Sequence, residues 1–250
     1  TLAINATALT TALLTFDGSA ETSGSIDLTL AGTGDHAVTS LGNGNDTFTS
    51  TGTGDITVTA ALAGNNTITT GSGVDGITGG TGDDTISTGA GIDTISFTSS
   101  NFTSGDTVTG GSGVDIISMT DDATVIDSDF TNVTTVETLT SSADINLNVT
   151  LGANALAAGI VTVSLTDDAA ADTVTIDAGY TGTVTVNLDD ADAVADTVSA
   201  VNSAATLIVA ADGDEVDTSA NTLTGGTGSA DEIKITGGGE TIAAADTANW

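Results

Sequence analysis

A nine-residue unit recurs from residue 70 to residue 118, and it limits what this chain can fold into more than any other feature. The units read TGSGVDGIT (70–78), GGTGDDTIS (79–87), TGAGIDTIS (88–96) and GGSGVDIIS (110–118), with one short interruption at 97–100. LGNGNDTFT (41–49) and NFTSGDTVT (101–109) are looser copies. Each unit has an Asp at its sixth position: Asp46, Asp75, Asp84, Asp93, Asp106 and Asp115. Its eighth position is apolar: Phe48, Ile77, Ile86, Ile95, Val108 and Ile117. A single unit this short buries almost nothing, so a fixed period implies stacked copies that share one core.

Upstream the unit degrades. AGTGDHAVT (31–39), TGTGDITVT (51–59) and ALAGNNTIT (61–69) keep the apolar eighth position as Val38, Val58 and Ile68. They replace the sixth-position Asp with His36, Ile56 and Asn66, and the first two carry an Asp one place earlier, at Asp35 and Asp55. Downstream the repeat lengthens. Runs beginning at Val161, Val184 and Leu207 start 23 residues apart, each pairing two β-rich stretches through an acidic, Ala-rich connector.

Thr, Val and Ile alternate with a period of two, which is a strand signal. Residues 154–159 form the only short helical candidate. The expected fold is all-β, a parallel β-solenoid. Each strand points an aliphatic residue inward, a Gly-rich turn follows, and two units close one turn of about 18 residues in the middle region. The second half has wider turns of two strands each. The expected division is an N-terminal β segment (1–30), a β-roll (31–126) and a solenoid with 23-residue turns (127–250).

Charge narrows the chemistry. The formal net charge is −33, from 34 Asp and Glu against a single Lys or Arg. Repulsion at that density opposes compaction, so cations are expected to complete the fold. Carboxylate oxygens are hard ligands suited to calcium. A nucleic-acid partner is excluded because phosphates need a basic face, and an anionic membrane surface is excluded for the same reason. Disorder is the bland reading of high charge. It does not fit a chain that is 38% hydrophobic with those residues spaced periodically. Cys is absent, so there is neither a disulfide frame nor a thiolate metal site. No signal peptide is visible, and no apolar run reaches the ~18 residues of a membrane span. The chain begins with Thr rather than Met, so it is expected to be processed or part of something longer.

In a GGxGxDxUx unit, Gly at positions 1, 2 and 4 lets the backbone turn sharply and present carbonyl oxygens, and the Asp adds a charged oxygen. A second loop one turn along supplies the rest of a six-to-eight-oxygen calcium shell. Stacked partners two repeats apart pair Asp75 with Asp93 and Asn66 with Asp84. On these units, over residues 31–118, the chain resembles the RTX family of calcium-binding, type I secreted bacterial proteins. That resemblance implies Asp75, Asp84, Asp93 and Asp115 as calcium ligands, with Asp46 and Asp106 in the looser copies. It also implies carbonyl ligands at Gly71, Gly73, Gly79, Gly82, Gly89, Gly91, Gly110 and Gly113. The pattern fails at His36, Ile56 and Asn66.

The segment DSDFTNVTTVETLT (127–140) is similar to the one that follows such repeats in RTX-type bacterial surface-layer proteins. This second resemblance implies a secreted, cell-surface structural protein that binds several calcium ions and self-associates into a sheet or filament. A cell-surface polysaccharide is a further candidate partner. The stalk of a large RTX adhesin and the calcium-folding tail of a secreted hydrolase or toxin are the alternatives.

Other residues are read plainly. His36 is expected to be a turn residue. The pairs Asp83–Asp84, Asp121–Asp122, Asp167–Asp168 and Asp189–Asp190 are not expected to form catalytic dyads, because neighbours on a strand face opposite ways. Tyr180 and Phe130 are expected at a turn edge and in the core, and Trp250 against a neighbouring segment. N-x-[ST] sequons arise by chance in so Thr-rich a chain. With no Arg, no Cys, one Lys and one His, an enzyme is not expected.

Overall fold

The structure, a computed structural model, describes residues 1–7, 9–59, 63–142, 145–165, 171–188 and 197–200, together with the backbone of the strands Thr206–Ala211, Thr222–Thr224 and Glu232–Ile235. Trp250 and the pairs Asp167–Asp168 and Asp189–Asp190 lie outside the described residues. The fold is a parallel β-solenoid, nearly all strand, and it divides into two compact units.

The first unit comprises residues 1–117 and 132–136. Its chain alternates between two parallel sheets. The first sheet runs Leu2–Ala6, Ile26–Leu30, Thr47–Ser50, Thr67–Thr69, Thr85–Ala90, Thr107–Ser112 and Val133–Thr134. The second runs Leu14–Asp17, His36–Ser40, Ile56–Val58, Gly76–Thr78, Thr94–Phe97 and Ile116–Met119. Register follows the repeat: Ile68 pairs with Ile86 on one sheet, and Ile77 with Ile95 on the other. The eighth-position residues stack inward, and Val38, Phe48, Val58, Ile68, Ile77, Ile86, Ile95, Val108 and Ile117 are all buried. Burying each such side chain contributes roughly 1.5–3 kcal/mol. No turn gains this alone, because its neighbours form the other walls.

The flanking seventh and ninth positions point outward. On the first sheet they form two columns in unbroken register. One column is Asp27, Thr47, Thr67, Thr85 and Thr107; the other is Thr29, Thr49, Thr69, Ser87, Thr109 and Thr134.

The second unit comprises residues 118–131 and 137–250. One of its sheets contains Thr138–Ser141, Thr162–Ser164, Thr183–Leu188, Thr206–Ala211 and Glu232–Ile235; the other contains Ala123–Val125, Leu147–Leu151, Thr173–Ile176, Thr197–Ala200 and Thr222–Thr224. Val163 pairs with Val186 and Val184 with Leu207, so the 23-residue period of the sequence is the stacking step of the three middle strands of that sheet, while Leu139 and Val163, like Val209 and Ile233, pair 24 residues apart. Ala153–Ala158 is a short α-helix ended by Gly159 in the left-handed region at φ 106°. It lies where the sequence offered its one helical candidate. Asp127, at the start of the 3-10 turn Asp127–Phe130, accepts the N–H groups of Gly152, Asn154 and Ala155 and so caps that helix. Phe130 and Tyr180 are both fully buried, and the Tyr180 hydroxyl donates to the Ile160 carbonyl.

Candidate metal centre

The sixth-position Asp residues are buried rather than displayed: Asp46, Asp75, Asp84, Asp93, Asp106 and Asp115 are each 1% exposed or less. Their spacing builds two ladders. On the loops that lead from the first sheet to the second, Asp75 Oδ1 accepts the Ile56 N–H at 2.8 Å, Asp93 Oδ1 the Asp75 N–H at 2.8 Å, and Asp115 Oδ1 the Asp93 N–H at 3.0 Å. On the return loops, Asp46 Oδ1 accepts from Ile26 at 2.7 Å, Asn66 Oδ1 from Asp46 at 2.9 Å, Asp84 Oδ1 from Asn66 at 2.8 Å, and Asp106 Oδ1 from Asp84 at 2.9 Å. One carboxylate oxygen therefore satisfies the backbone donor of the preceding turn. Asp75 stacks with Asp93 and Asn66 with Asp84, each 18 residues apart, as the repeat requires.

The degenerate positions fit the same ladders. Asn66 supplies an amide oxygen in place of a carboxylate, and its Nδ2 donates to the Gly64 carbonyl at 3.0 Å. His36 differs from the expected turn residue. It is a buried strand residue whose Nδ1 accepts the Leu14 N–H at 3.2 Å, so the ring does the work of a sixth-position Asp. Ile56 has no acceptor, and there the His36 N–H donates to the Asp55 carbonyl at 2.9 Å instead.

The fifth position carries a parallel, exposed set of bonds of opposite sense. Asp35 Oδ1 accepts from Asp55, Asp55 Oδ1 from Val74, Asn45 Oδ1 from Asn65, and Asn65 Oδ1 from Asp83. Asp83 is exposed and Asp84 buried, so that acid pair is split between the two sides of the backbone.

The second carboxylate oxygens are unevenly provided for. Asp84 Oδ2 accepts the Gly80 N–H at 3.0 Å, and Asp106 Oδ2 the Thr103 N–H at 2.9 Å. The Oδ2 atoms of Asp46, Asp75 and Asp93 are buried without a hydrogen-bond partner. The Thr70 hydroxyl lies beside Asp75 and the Thr88 hydroxyl beside Asp93, but they donate to the Thr88 carbonyl at 2.9 Å and the Gly110 carbonyl at 2.8 Å. Burial pushes the carboxyls of Asp46, Asp75, Asp84, Asp93 and Asp106 above their ordinary value, and the hydrogen bonds they accept offset this in part. Neighbouring acids add to the upward push: Glu21 on Asp46, Asp93 and Asp55 on Asp75, Asp55 on Asp93.

Stacking explains the glycines. A Cβ on Gly91 would stand 1.7 Å from the Gly73 carbonyl oxygen, and one on Gly89 2.1 Å from that of Gly71. Both glycines also have φ in the left-handed region, at 151° and 91°. Gly73 and Gly82 meet the preceding loops in the same way, through the carbonyls of Gly54 and Gly64. Gly113 meets Gly91, and Gly110 meets the Thr135 carbonyl and the Asp115 side chain. Gly79 is used differently: a Cβ there would come within 2.1 Å of the Phe97 ring. The Gly71 and Gly110 carbonyls accept bonds from Ala90 N–H and the Thr88 hydroxyl, which leaves each a second lone pair.

Two residues escaped the sequence reading. Gly111, with φ 113°, is the true stacking partner of Gly89. Glu21 precedes the repeats, and its Oε2 is buried without a partner near Asp46. No period marked Glu21. Only the offset of one turn from Gly42, whose Cβ position it fills, points to it.

The donor set is hard and anionic, and the orphaned oxygens fit a cation better than any neutral group, because a buried unpaired charge is costly. Among the described residues no three His, Cys, Asp or Glu side chains converge on one point, so a calcium shell here requires backbone carbonyls as well. Comparison with known proteins finds no matching family model, no similar curated protein and no similar solved structure.

Proposed function

We propose that the chain is a calcium-stabilised structural module of an extracellular bacterial assembly, of the surface-layer kind, and not an enzyme. One observation carries the reading. Asp46, Asp75 and Asp93 each hold a buried carboxylate oxygen with no partner, in a chain of net charge −33. Calcium between successive loops would neutralise that charge. Asp75 and Asp93 would hold it with the carbonyls of the glycine loops around them, and Glu21 with Asp46 would form a second such place. A cation bound only by the folded chain contributes its binding energy to folding.

The solenoid supplies rigidity, and its acidic exterior keeps copies apart until divalent ions bridge them into a sheet or filament. The test is circular dichroism and thermal melting in excess chelator, in calcium and in magnesium, followed by electron microscopy across a calcium titration. Calcium-specific gain of β-structure, then ordered sheets, is the expected result. An unchanged melt in chelator would sink the calcium reading. A calcium-folded monomer at every concentration would move the reading to an adhesin stalk.

A further inference from the structure

The outward side of the first unit's first sheet carries the longer of the chain's hydroxyl columns; those of the second unit, Thr173–Thr197–Thr222 and Thr150–Thr175–Ser199–Thr224, are shorter. Asp and Glu number 34 in the sequence, yet beyond Ala3, Asn5 and Asp27 on the first two strands the two columns carry only hydroxyl-bearing residues, ending at Thr107 and Thr134. The face is open, with its residues exposed or half-buried.

Its periodicity follows from strand geometry. Neighbouring strands lie ~4.8 Å apart, and residues two apart on a strand lie ~6.6 Å apart. In-register pairing without a slip from Asp27 to Thr109 turns those spacings into a two-dimensional lattice of hydroxyl and methyl groups. β-Branching holds each Thr in few rotamers, so little side-chain entropy is lost when such a face meets a rigid partner.

A partner must match this lattice, accept and donate hydrogen bonds, and need no charge. A sugar crystal would call for aromatic platforms, but neither column carries an aromatic residue. The oxygen repeats on a prism face of hexagonal ice lie close to the strand spacing in one direction and exceed the two-residue spacing by roughly a tenth in the other. Methyl groups between the hydroxyls order water at the same intervals. We infer that this face binds ice through its two columns of Thr hydroxyl and methyl groups.

The second sheet of the same unit lacks the array. Ala37 and Gly76 interrupt its outward column, and its register shifts between Phe16 and Asp17. It therefore serves as an internal control.

The experiment uses the whole chain in saturating calcium, with folding checked by circular dichroism, so failure of the calcium reading is seen separately. Ice-crystal shaping, freezing hysteresis and inhibition of recrystallisation are measured for the wild type, Thr67→Lys on the array and Thr57→Lys on the opposite sheet. The wild type and Thr57→Lys are expected to shape ice, with Thr67→Lys losing most of the hysteresis. Should Thr67→Lys misfold, the Thr67→Ser variant keeps the hydroxyl, removes the methyl and is expected to lose part of the effect. A folded wild type that leaves ice growth unchanged overturns the proposal, as does equal loss on both faces. So does a wild type that pairs through this face into dimers, by sedimentation, without touching ice.

Discussion

Replacing Asp93 with Asn separates the two jobs of a sixth-position residue. The amide keeps an oxygen for the Asp75 N–H, as Asn66 does for Asp46 at 2.9 Å. Its NH₂ faces the fourth-position glycine carbonyl, as Asn66 Nδ2 does at 3.0 Å from Gly64. In metal-free protein the substitution removes a buried charge whose Oδ2 has no partner. Relief of an unsatisfied buried group is worth about 1–3 kcal/mol, so Asp93→Asn should be more stable than wild type in excess chelator. In saturating calcium the sign reverses, because a charged ligand is lost. At about 1.4 kcal/mol per tenfold in affinity, loss of the charged ligand must weaken the site by roughly 150-fold to outweigh the top of the gain seen in chelator, and a weakening beyond that is expected. Asp93→Ala removes the ladder oxygen too and leaves the buried Asp75 N–H unpaired, which costs about 1–3 kcal/mol in either condition. Urea unfolding followed by far-UV circular dichroism, with calcium and with chelator, reads all four cases. A stability change of the same sign for Asp93→Asn in both conditions would refute the reasoning, since the carboxylate would then act only as a hydrogen-bond acceptor.

Other outcomes are open to simpler assays. Gly91→Ala should destabilise by several kcal/mol, among the largest single-substitution effects, because the new methyl meets the Gly73 oxygen. Gly76→Ala, whose Cβ meets nothing within 4 Å, should be neutral or stabilising by ~0.4–1 kcal/mol; equal melting losses would contradict the stacking account. Burial pushes the phenol of Tyr180, the only tyrosine, up to about 12, so tyrosinate absorbance should appear only as pH approaches that value or as the protein unfolds. In chelator, the raised carboxyls bind protons more readily in the folded than in the unfolded chain. Stability should therefore climb as pH falls through their folded values and level off below the ordinary 3.8. Asp17 and Glu21, held low by hydrogen bonds from Ser19 and from Ser23 and Gly24, act in the opposite sense. A steady loss of stability in mild acid would show that the buried carboxylates are not the dominant titrating groups.

The solenoid was legible because its determinants are local and periodic. An apolar eighth position and a Gly-rich turn repeat often enough to fix register, which is why Ile77 over Ile95 and Val184 beside Leu207 follow from spacing alone. The ladders were half legible. The sequence marked the Asp positions and their partners, but not that Oδ1 is taken by a backbone N–H, because hydrogen-bond direction depends on how far the loops tilt. His36 was misjudged for the same reason: its residue type looked degenerate while its place in the stack kept an acceptor there. Asp127 gave no periodic signal, since its contacts with Gly152 and Ala155 bridge a single irregular excursion.

The sixth-position ladders give the first unit a grain. Each acceptor sits on the later turn and each donor on the earlier one. A turn joining on the C-terminal side brings the carboxylate that the exposed turn lacks. A turn joining on the N-terminal side finds its acceptor already in place. Growth in the two directions is thus chemically unequal, and so are the wounds left by cutting. Removing the last loops strands N–H donors inside the stack, whereas removing the first frees oxygens that water or an ion can take up. Truncations of equal length from the two sides should therefore differ in stability, with the C-terminal cuts the more damaging.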